Sequence, residues 1–232
     1  MGSCCASENK YLGEDFVKVL LIDPNLKLRK INYDELLNKI FDTRVEQLVP
    51  KKHIIQYLLP ECYEQKETNI NNKFLQSVFD TIINKLEDNN NMYIVLLYFY
   101  PFINHTNEKS YQNFFKCVKF ITKTNKKEIE KEAVQKILKK YITFCTKDVT
   151  YAIYIKCSDS DNIKGSMSNL LNQAFSENNI DILSAKLMSL LTDNDKKQTI
   201  NVDDFQKLFK EYDIASIENV RSYLLRGDDY LN

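Results

Sequence analysis

The chain has little glycine: Gly2, Gly13, Gly165 and Gly227 are the only four in 232 residues. A loop that cradles a phosphate needs several glycines close together, because backbone without a Cβ can approach the phosphate closely. No stretch of this sequence has such a cluster. The P-loop, dinucleotide-binding and protein-kinase classes are therefore excluded, because each has a glycine-rich motif that this sequence lacks.

Histidine and clustered cysteine are also scarce. The chain has two histidines, His53 and His105, and six cysteines without any Cys-x-x-Cys spacing. A structural zinc site needs closely spaced thiolate or imidazole ligands, and a thiol nucleophile needs a base beside it. Neither a zinc site, nor a disulfide framework, nor Cys–His catalysis is predicted. We expect a protein that is not an enzyme.

Net charge and long hydrophobic runs are missing as well. The 32 basic and 32 acidic residues cancel and are interspersed, so no nucleic-acid partner is expected. The most apolar run, Met92 to Tyr100, is nine residues long, whereas a membrane-spanning helix needs about 20. This run is predicted to be a buried helix.

The N-terminus carries the strongest positive signal in the sequence. It reads Met1-Gly2-Ser3-Cys4-Cys5. Removal of the methionine would expose the amine of Gly2 for myristoylation, and Cys4 and Cys5 are candidates for palmitoylation. The sequence therefore predicts a lipid anchor at these three residues. The alternative is an unmodified start that happens to contain them.

A second acyl chain is expected because one myristoyl chain binds a membrane only transiently. Residues 1–30 are too balanced in charge to supply a basic patch instead. The myristoylation motif usually has serine or threonine at the position of Ala6. Here the serine, Ser7, comes one residue later, and the sequence departs from the motif at this point. No secretory signal is recognised, so the expected location is the cytosolic face of a membrane.

Hydrophobic periodicity predicts an all-α fold. Apolar residues recur at helical spacing in three sets, which are Phe16/Val17/Leu20/Leu21, Phe74/Val78/Ile82 and Ala133/Ile137/Tyr141. Pro50 is predicted to open a helix over Lys51–Leu59 that Pro60 ends. The Asn-rich tract 89–91 is predicted to be a loop. Residues 148–155 fit either a strand or a short buried helix.

A weak internal repeat joins four segments, each with an apolar residue opening a helix after a polar stretch. The segments are Ile31–Leu36, Ile70–Leu75, Ser110–Phe115 and Ile200–Phe205. The first three are about 40 residues apart, a spacing that suits successive helix–loop–helix units.

The last copy is preceded by the most candidate metal ligands. Helices are predicted near Ile182–Leu191 and Val202–Tyr212, and the twelve residues 193–204 between them resemble an EF-hand calcium loop. By that resemblance, the oxygen ligands would be Asp193, Asp195, Thr199 through its carbonyl, Asn201 and Asp204. Ile200 would be the central apolar residue whose backbone pairs two loops. The flanking residues with core spacing are Leu190, Leu191, Phe205, Leu208 and Phe209.

Three features of this loop depart from the calcium-binding pattern. Lys197 stands where an oxygen ligand is wanted, Gln198 where glycine makes the sharp turn, and Asp204 is shorter than the usual glutamate. Two interpretations stay open. The loop either binds calcium or keeps the packing of a helix–loop–helix without the ion.

The chain as a whole resembles two groups of proteins. An acylated N-terminus followed by degenerate helix–loop–helix pairs is similar to the EF-hand superfamily, including its myristoylated neuronal calcium sensors. The helix order over residues 30–125 resembles the N-terminal half of myristoylated TLDc-domain proteins. No TLDc domain follows up to Asn232, so that family's binding of the proton-pumping V-ATPase is not expected here.

These resemblances imply three regions: an acylated flexible N-terminus (1–12), an EF-hand-like helical region (13–125), and a helical region ending in a degenerate EF-hand-like pair (126–232). The leading hypothesis is a membrane-anchored adaptor that docks a protein partner, for which an amphipathic helix is one candidate. The alternative is a calcium sensor that switches partner binding through residues 193–204.

Overall fold

The computed structural model describes residues 32–46, 48–58, 79–103, 109–151, 169 and 171–225. Most of these residues are helical. The helices are α1 (Tyr33–Thr43), α2 (Lys51–His53), α3 (Met92–Phe99), α4 (Ser110–Ile121), α5 (Lys131–Thr143), α6 (Glu177–Leu191), α7 (Val202–Glu211) and α8 (Ile217–Leu225). Residues 79–85 form a further helical segment. Irregular turns extend α2 over Ile54–Leu58, α3 over Tyr100–Phe102 and α5 over Phe144–Asp148. The predicted all-α class is confirmed to the extent that the described residues are mostly helical.

Four very short strands join the loops into two antiparallel pairs. Strand β1 (Leu48–Pro50) pairs with β2 (Asn89–Asn91), and β3 (Ile129–Glu130) pairs with β4 (Thr199–Ile200). Val49 lies opposite Asn90 in the first pair, and Ile129 lies opposite Ile200 in the second. Each strand leads directly into a helix, so the pairing fixes where α2, α3, α5 and α7 begin.

The two pairs have matching geometry. The first residue of the helix after β1, Lys51, donates its backbone N–H to the Asp88 carbonyl at 2.8 Å. Lys131, the first residue of α5, donates in the same way to the Gln198 carbonyl at 2.9 Å. The fold therefore repeats one unit twice: two helix–loop–helix segments joined at their loops.

The predicted repeat is matched in part by the strand-to-helix junctions of the described residues. These junctions lie near Val49, Asn90, Ile129 and Ile200, and the predicted copy Ile200–Phe205 coincides with the last of them. Ile31 and Ile70–Leu75 lie outside the described residues, and Ser110–Phe115 opens α4, which precedes a loop rather than following one. A polar cap before an apolar residue opens either type of helix, so the pattern could not distinguish them.

Polar caps set the helix starts. Asn32 accepts a hydrogen bond from the Glu35 N–H at 2.9 Å, Asn91 from the Tyr93 N–H at 2.8 Å, and Ser176 from the Asn179 N–H at 3.3 Å. Each bond satisfies one of the N–H groups that a helix leaves unpaired at its first turn. The helix predicted over Lys51–Leu59 begins at Lys51, directly after Pro50, and its predicted end at Leu59 and Pro60 lies outside the described residues.

One hydrophobic core runs through both units. Helix α3 packs on α1 and α4, α4 on α7, and α5 and α7 on α6. The predicted buried helix is confirmed, since Val95, Leu96 and Phe99 of α3 are fully buried. The helical pattern of α5 is confirmed as well, with Ile137 and Tyr141 buried. No described helix is long and apolar enough to cross a membrane.

Two local predictions have definite outcomes. The Asn-rich tract 89–91 is a strand rather than the predicted loop. Its central residue Asn90 is buried, and its side chain accepts from the Glu87 N–H at 2.9 Å and donates to the Glu87 carbonyl at 2.6 Å. These bonds satisfy an amide that would otherwise be costly to bury. Residues 149–151 are helical, which decides that part of the ambiguous segment in favour of a helix.

Candidate functional site

The paired loops 122–130 and 192–201 form the candidate site. The β3–β4 pair joins them, and the side chains of Ile129 and Ile200 are almost fully buried where they meet. The hydroxyl of Thr199 donates to the Glu128 carboxylate at 2.5 Å. The fold thus brings the predicted loop 193–204 against a partner loop that the sequence did not indicate.

The first half of the predicted loop has an unusual backbone. Asp193, Asn194 and Asp195 have φ values of 51°, 55° and 66° in succession. Left-handed backbone is uncommon outside glycine, although Asn and Asp adopt it more readily than other residues. The turn is held by the Asn194 N–H, which donates to the Ser189 carbonyl at 2.8 Å, and by the Asp195 N–H, which donates to the Thr192 hydroxyl at 3.1 Å.

The second half of the loop caps helix α7. Asn201 accepts from the N–H groups of Asp203 at 2.9 Å and Asp204 at 3.2 Å, and the Asp204 carboxylate accepts from the Asn201 N–H at 3.0 Å. This reciprocal capping box satisfies donors at the start of the helix. Two of the predicted metal ligands are therefore engaged with backbone.

The ammonium group of Lys197 bonds to the same carboxylate. Its Nζ lies 2.5 Å from Asp204 Oδ1. The Asp204 side chain is only 3% exposed, whereas that of Lys197 is 40% exposed. The hydrogen bond with Asp204 is the largest influence on Lys197 and raises its pKa, with further contributions from the Asp193 and Glu128 carboxylates. The lysine thus lies among the loop's carboxylates.

A second lysine reaches the loop from the other helix–loop–helix segment of the same unit. Lys131, at the start of α5, places its Nζ 2.7 Å from Asp195 Oδ1. This hydrogen bond lowers the pKa of the Asp195 carboxyl, and the adjacent positive charge adds to the effect. The two residues are 64 positions apart in the sequence. Their contact therefore joins α5 to a distant part of the chain, the loop that precedes α7.

The predicted site residues are only partly brought together. Asn201 and Asp204 share the helix cap, Asp195 bonds to Lys131, and Asp193 is exposed. Within the part of the chain that the structure describes, no group of three or more His, Cys, Asp or Glu side chains is placed to hold a metal ion. The predicted lipidation sites Gly2, Cys4 and Cys5 lie outside the described residues.

Sequence reasoning missed the partner loop and its contributions. Ile129, Glu128 and Lys131 contact the predicted loop, yet they lie in a lysine-rich stretch that contains no aspartate. The available signal was the isolated isoleucine between two polar or charged residues just before a helix. Ile200 has the same setting, and the pattern becomes informative only when the two loops are compared.

A groove of about 340 Å³ is a second candidate site. It lies between the helical segment 79–85, the end of the α5 extension and residues 171–175. Its apolar lining includes Tyr151, Leu171 and the buried ring of Phe175. Lys85 and Asp148, which also line it, form an ion pair at 2.8 Å. This volume falls in the range of sites that bind small molecules or single side chains of a partner.

Comparison with protein-family models, curated proteins and solved structures finds no match to this chain. No relative therefore supplies a function for the site.

Proposed function

We propose that this protein is an adaptor held on the cytosolic face of a membrane by acyl chains on Gly2, Cys4 and Cys5, where its EF-hand-like helical body docks a protein partner. The observation that carries the docking role is the groove beside Tyr151. An exposed aromatic ring, an apolar floor and a neighbouring ion pair suit an amphipathic partner helix, whose apolar face would enter the groove while its polar face meets the charges.

Several features support the EF-hand-like assignment. Two helix–loop–helix segments meet at short antiparallel strands, and in one strand pair two isoleucines, Ile129 and Ile200, lie opposite each other. The second pair, β1 with β2, has the same connection to the helix that follows. EF-hand units commonly act in such pairs and accept amphipathic helices.

The anchor predicts a measurable change in mass and location. In its native cell the protein should gain the mass of one amide-linked myristoyl chain and one or two thioester-linked chains, and should sediment with membranes. Hydroxylamine should remove only the thioester-linked chains. Gly2→Ala should move most of the protein to the soluble fraction, because the amide-linked chain cannot form. Unmodified wild-type protein in the soluble fraction would contradict the anchor.

The groove predicts that docking depends on Tyr151. This side chain is 54% exposed, so Tyr151→Glu should leave the fold intact while placing a charge where the partner's apolar face would bind. The matched control is Ile182→Glu, because Ile182 is 49% exposed on α6 and does not line the groove. Proximity labelling should show membrane neighbours lost with Gly2→Ala, and a protein partner lost with Tyr151→Glu but retained with Ile182→Glu. Equal labelling of partners by Tyr151→Glu and Ile182→Glu would refute the docking role.

The calcium-sensor alternative draws support from the left-handed backbone of Asp193, Asn194 and Asp195, which forms a tight turn of residues with oxygen-bearing side chains. In this interpretation Asp193, Asp195, Thr199, Asn201 and Asp204 would bind the ion, and binding would switch partner affinity. The contacts of Lys197 and Lys131 count against it, because cation binding would have to displace both ammonium groups. Calcium titration of the purified protein separates the two functions.

A further inference from the structure

The buried carboxylate of Asp204 needs a positive charge beside it to be stable. Its carboxylate is 3% exposed, with one oxygen bonded to the Asn201 N–H and the other to the Lys197 ammonium. A buried carboxylate whose partner is removed is strongly destabilising, because the charge has lost its water and gains nothing in return. In a calcium-loaded loop the metal supplies that charge. Here a side chain of the same loop supplies it.

The other bonded carboxylate of the loop has its own ammonium group. Asp195 lies against Lys131 of the neighbouring helix–loop–helix segment at 2.7 Å, and its oxygen also lies 3.4 Å from the Thr192 hydroxyl. The two lysines therefore contact the loop from two sides: Lys197 from within it and Lys131 from α5. Between them they bind the acidic residues at its third and twelfth positions.

We propose that Lys197 serves as a built-in cation for residues 192–204, so that the paired loops stay closed without a divalent metal ion. Its ammonium group takes the place of calcium at Asp204, and Lys131 clamps Asp195 in the same closed arrangement. The device explains how the loop keeps a helix–loop–helix geometry although Lys197 and Gln198 depart from the calcium-binding pattern. It concerns the protein alone and requires no partner.

A built-in cation also affects how partner docking is regulated, a point that rests on the proposed function. A loop that is neutralised by its own side chain does not change state when calcium rises, so partner docking would be constitutive. Control of the adaptor would then lie in its attachment to the membrane, through the thioester-linked chains, rather than in an ion.

The test compares thermal unfolding of purified, non-acylated protein in a chelator and in millimolar calcium. Wild type should unfold at the same temperature in both. Lys197→Met keeps the aliphatic stem but removes the charge, and should lower the unfolding temperature by about 3–6 °C because Asp204 stays buried without a cation. Lys197→Arg keeps a positive charge and should recover at least half of that loss. The matched control is Lys196→Met, an exposed neighbour, which should unfold like wild type.

Two results would overturn the proposal. If calcium raised the unfolding temperature of wild type, the loop would bind a metal ion rather than rely on the lysine. If Lys197→Met unfolded at the same temperature as Lys196→Met, the ion pair would contribute nothing to the loop. Neither result depends on membrane attachment or on a partner, so failure of this proposal is distinguishable from failure of the adaptor function.

Discussion

Phe114→Ala is expected to lower the free energy of unfolding by about 3–5 kcal/mol, the usual range for removing a large buried ring. Phe114 of α4 is fully buried. Its ring lies 5.0 Å from that of Tyr141, 5.2 Å from Tyr100, 5.8 Å from Phe205 and 5.7 Å from Phe209. These partners belong to α5, the extension of α3, and α7, so one ring joins both helix–loop–helix units. Its removal leaves a cavity that no single helix can close by shifting.

The matched control for this substitution is Phe120→Ala. Phe120 lies on the same helix, but its side chain is 45% exposed and it stacks on Tyr93 with ring centres 4.3 Å apart. Losing that stacking should cost about 1 kcal/mol. Urea unfolding followed by circular dichroism measures both variants. Similar losses for the two would show that the core does not converge on Phe114.

A loss of this size is decisive for a protein of ordinary stability. Natural domains are stable by about 5–15 kcal/mol, so Phe114→Ala would remove a large part of the total. The unfolding free energy should fall with urea concentration about as steeply as in wild type if the two units unfold together. A second transition in Phe114→Ala would instead reveal that this ring couples two units that are able to unfold separately.

The helices and their buried faces were predictable because their signal is local. Apolar residues three and four positions apart identify one face of a helix whatever it packs against. Ile137 and Tyr141 in α5, and Phe205 and Leu208 in α7, are buried as their spacing indicated. The polar caps are equally local, since a cap bonds to a backbone group within three residues.

The strands could not be predicted in the same way because their pairing is not local. Asn90 faces Val49 across 41 positions, and a run of three asparagines has low strand propensity. The run forms a strand because β1 is brought opposite it and because the Asn90 amide bonds to the Glu87 backbone. Only the folded chain supplies those partners.

The candidate site was predictable in position but not in chemistry. The sequence identified Lys197 as an obstacle to calcium, yet spacing alone does not tell whether a lysine points into solvent or over a carboxylate. The 2.5 Å contact with Asp204 answers that question. Lys131 was beyond sequence reasoning altogether, because it reaches Asp195 only through the pairing of β3 with β4.

The buried tyrosines give the second large expectation, which is a steep loss of stability at alkaline pH. Burial raises the pKa of the Tyr33, Tyr100 and Tyr141 phenols well above the ordinary value of 10.0, and raises the pKa of the Cys117 thiol from 9.0 to about 12. In the core, the Tyr100 hydroxyl donates to the Ser110 carbonyl at 2.6 Å and that of Tyr141 to the Ile214 carbonyl at 2.9 Å. Ionisation would remove both donors and leave a charge without water.

The sign of the effect follows from where the protons are bound. Above pH 9 for the thiol and pH 10 for the phenols, the unfolded chain loses protons that the folded chain keeps. Stability is therefore fully present below those values and falls as pH rises towards the folded-state pKa. Each group should remove about 1.4 kcal/mol per pH unit within that window. With four groups acting together, we expect cooperative unfolding between about pH 10 and 12.

The measurement is a pH titration that follows tyrosinate absorbance and helical circular dichroism together. The absorbance change that comes from the buried phenols Tyr33, Tyr100 and Tyr141 should coincide with loss of helix. Tyr100→Phe should make the fall of unfolding free energy with pH less steep by one proton, although it loses a hydrogen bond at neutral pH. If all tyrosines ionised before any helix was lost, the phenols would have to reach solvent in the native state, and the closely packed core around Tyr100 and Tyr141 would be wrong.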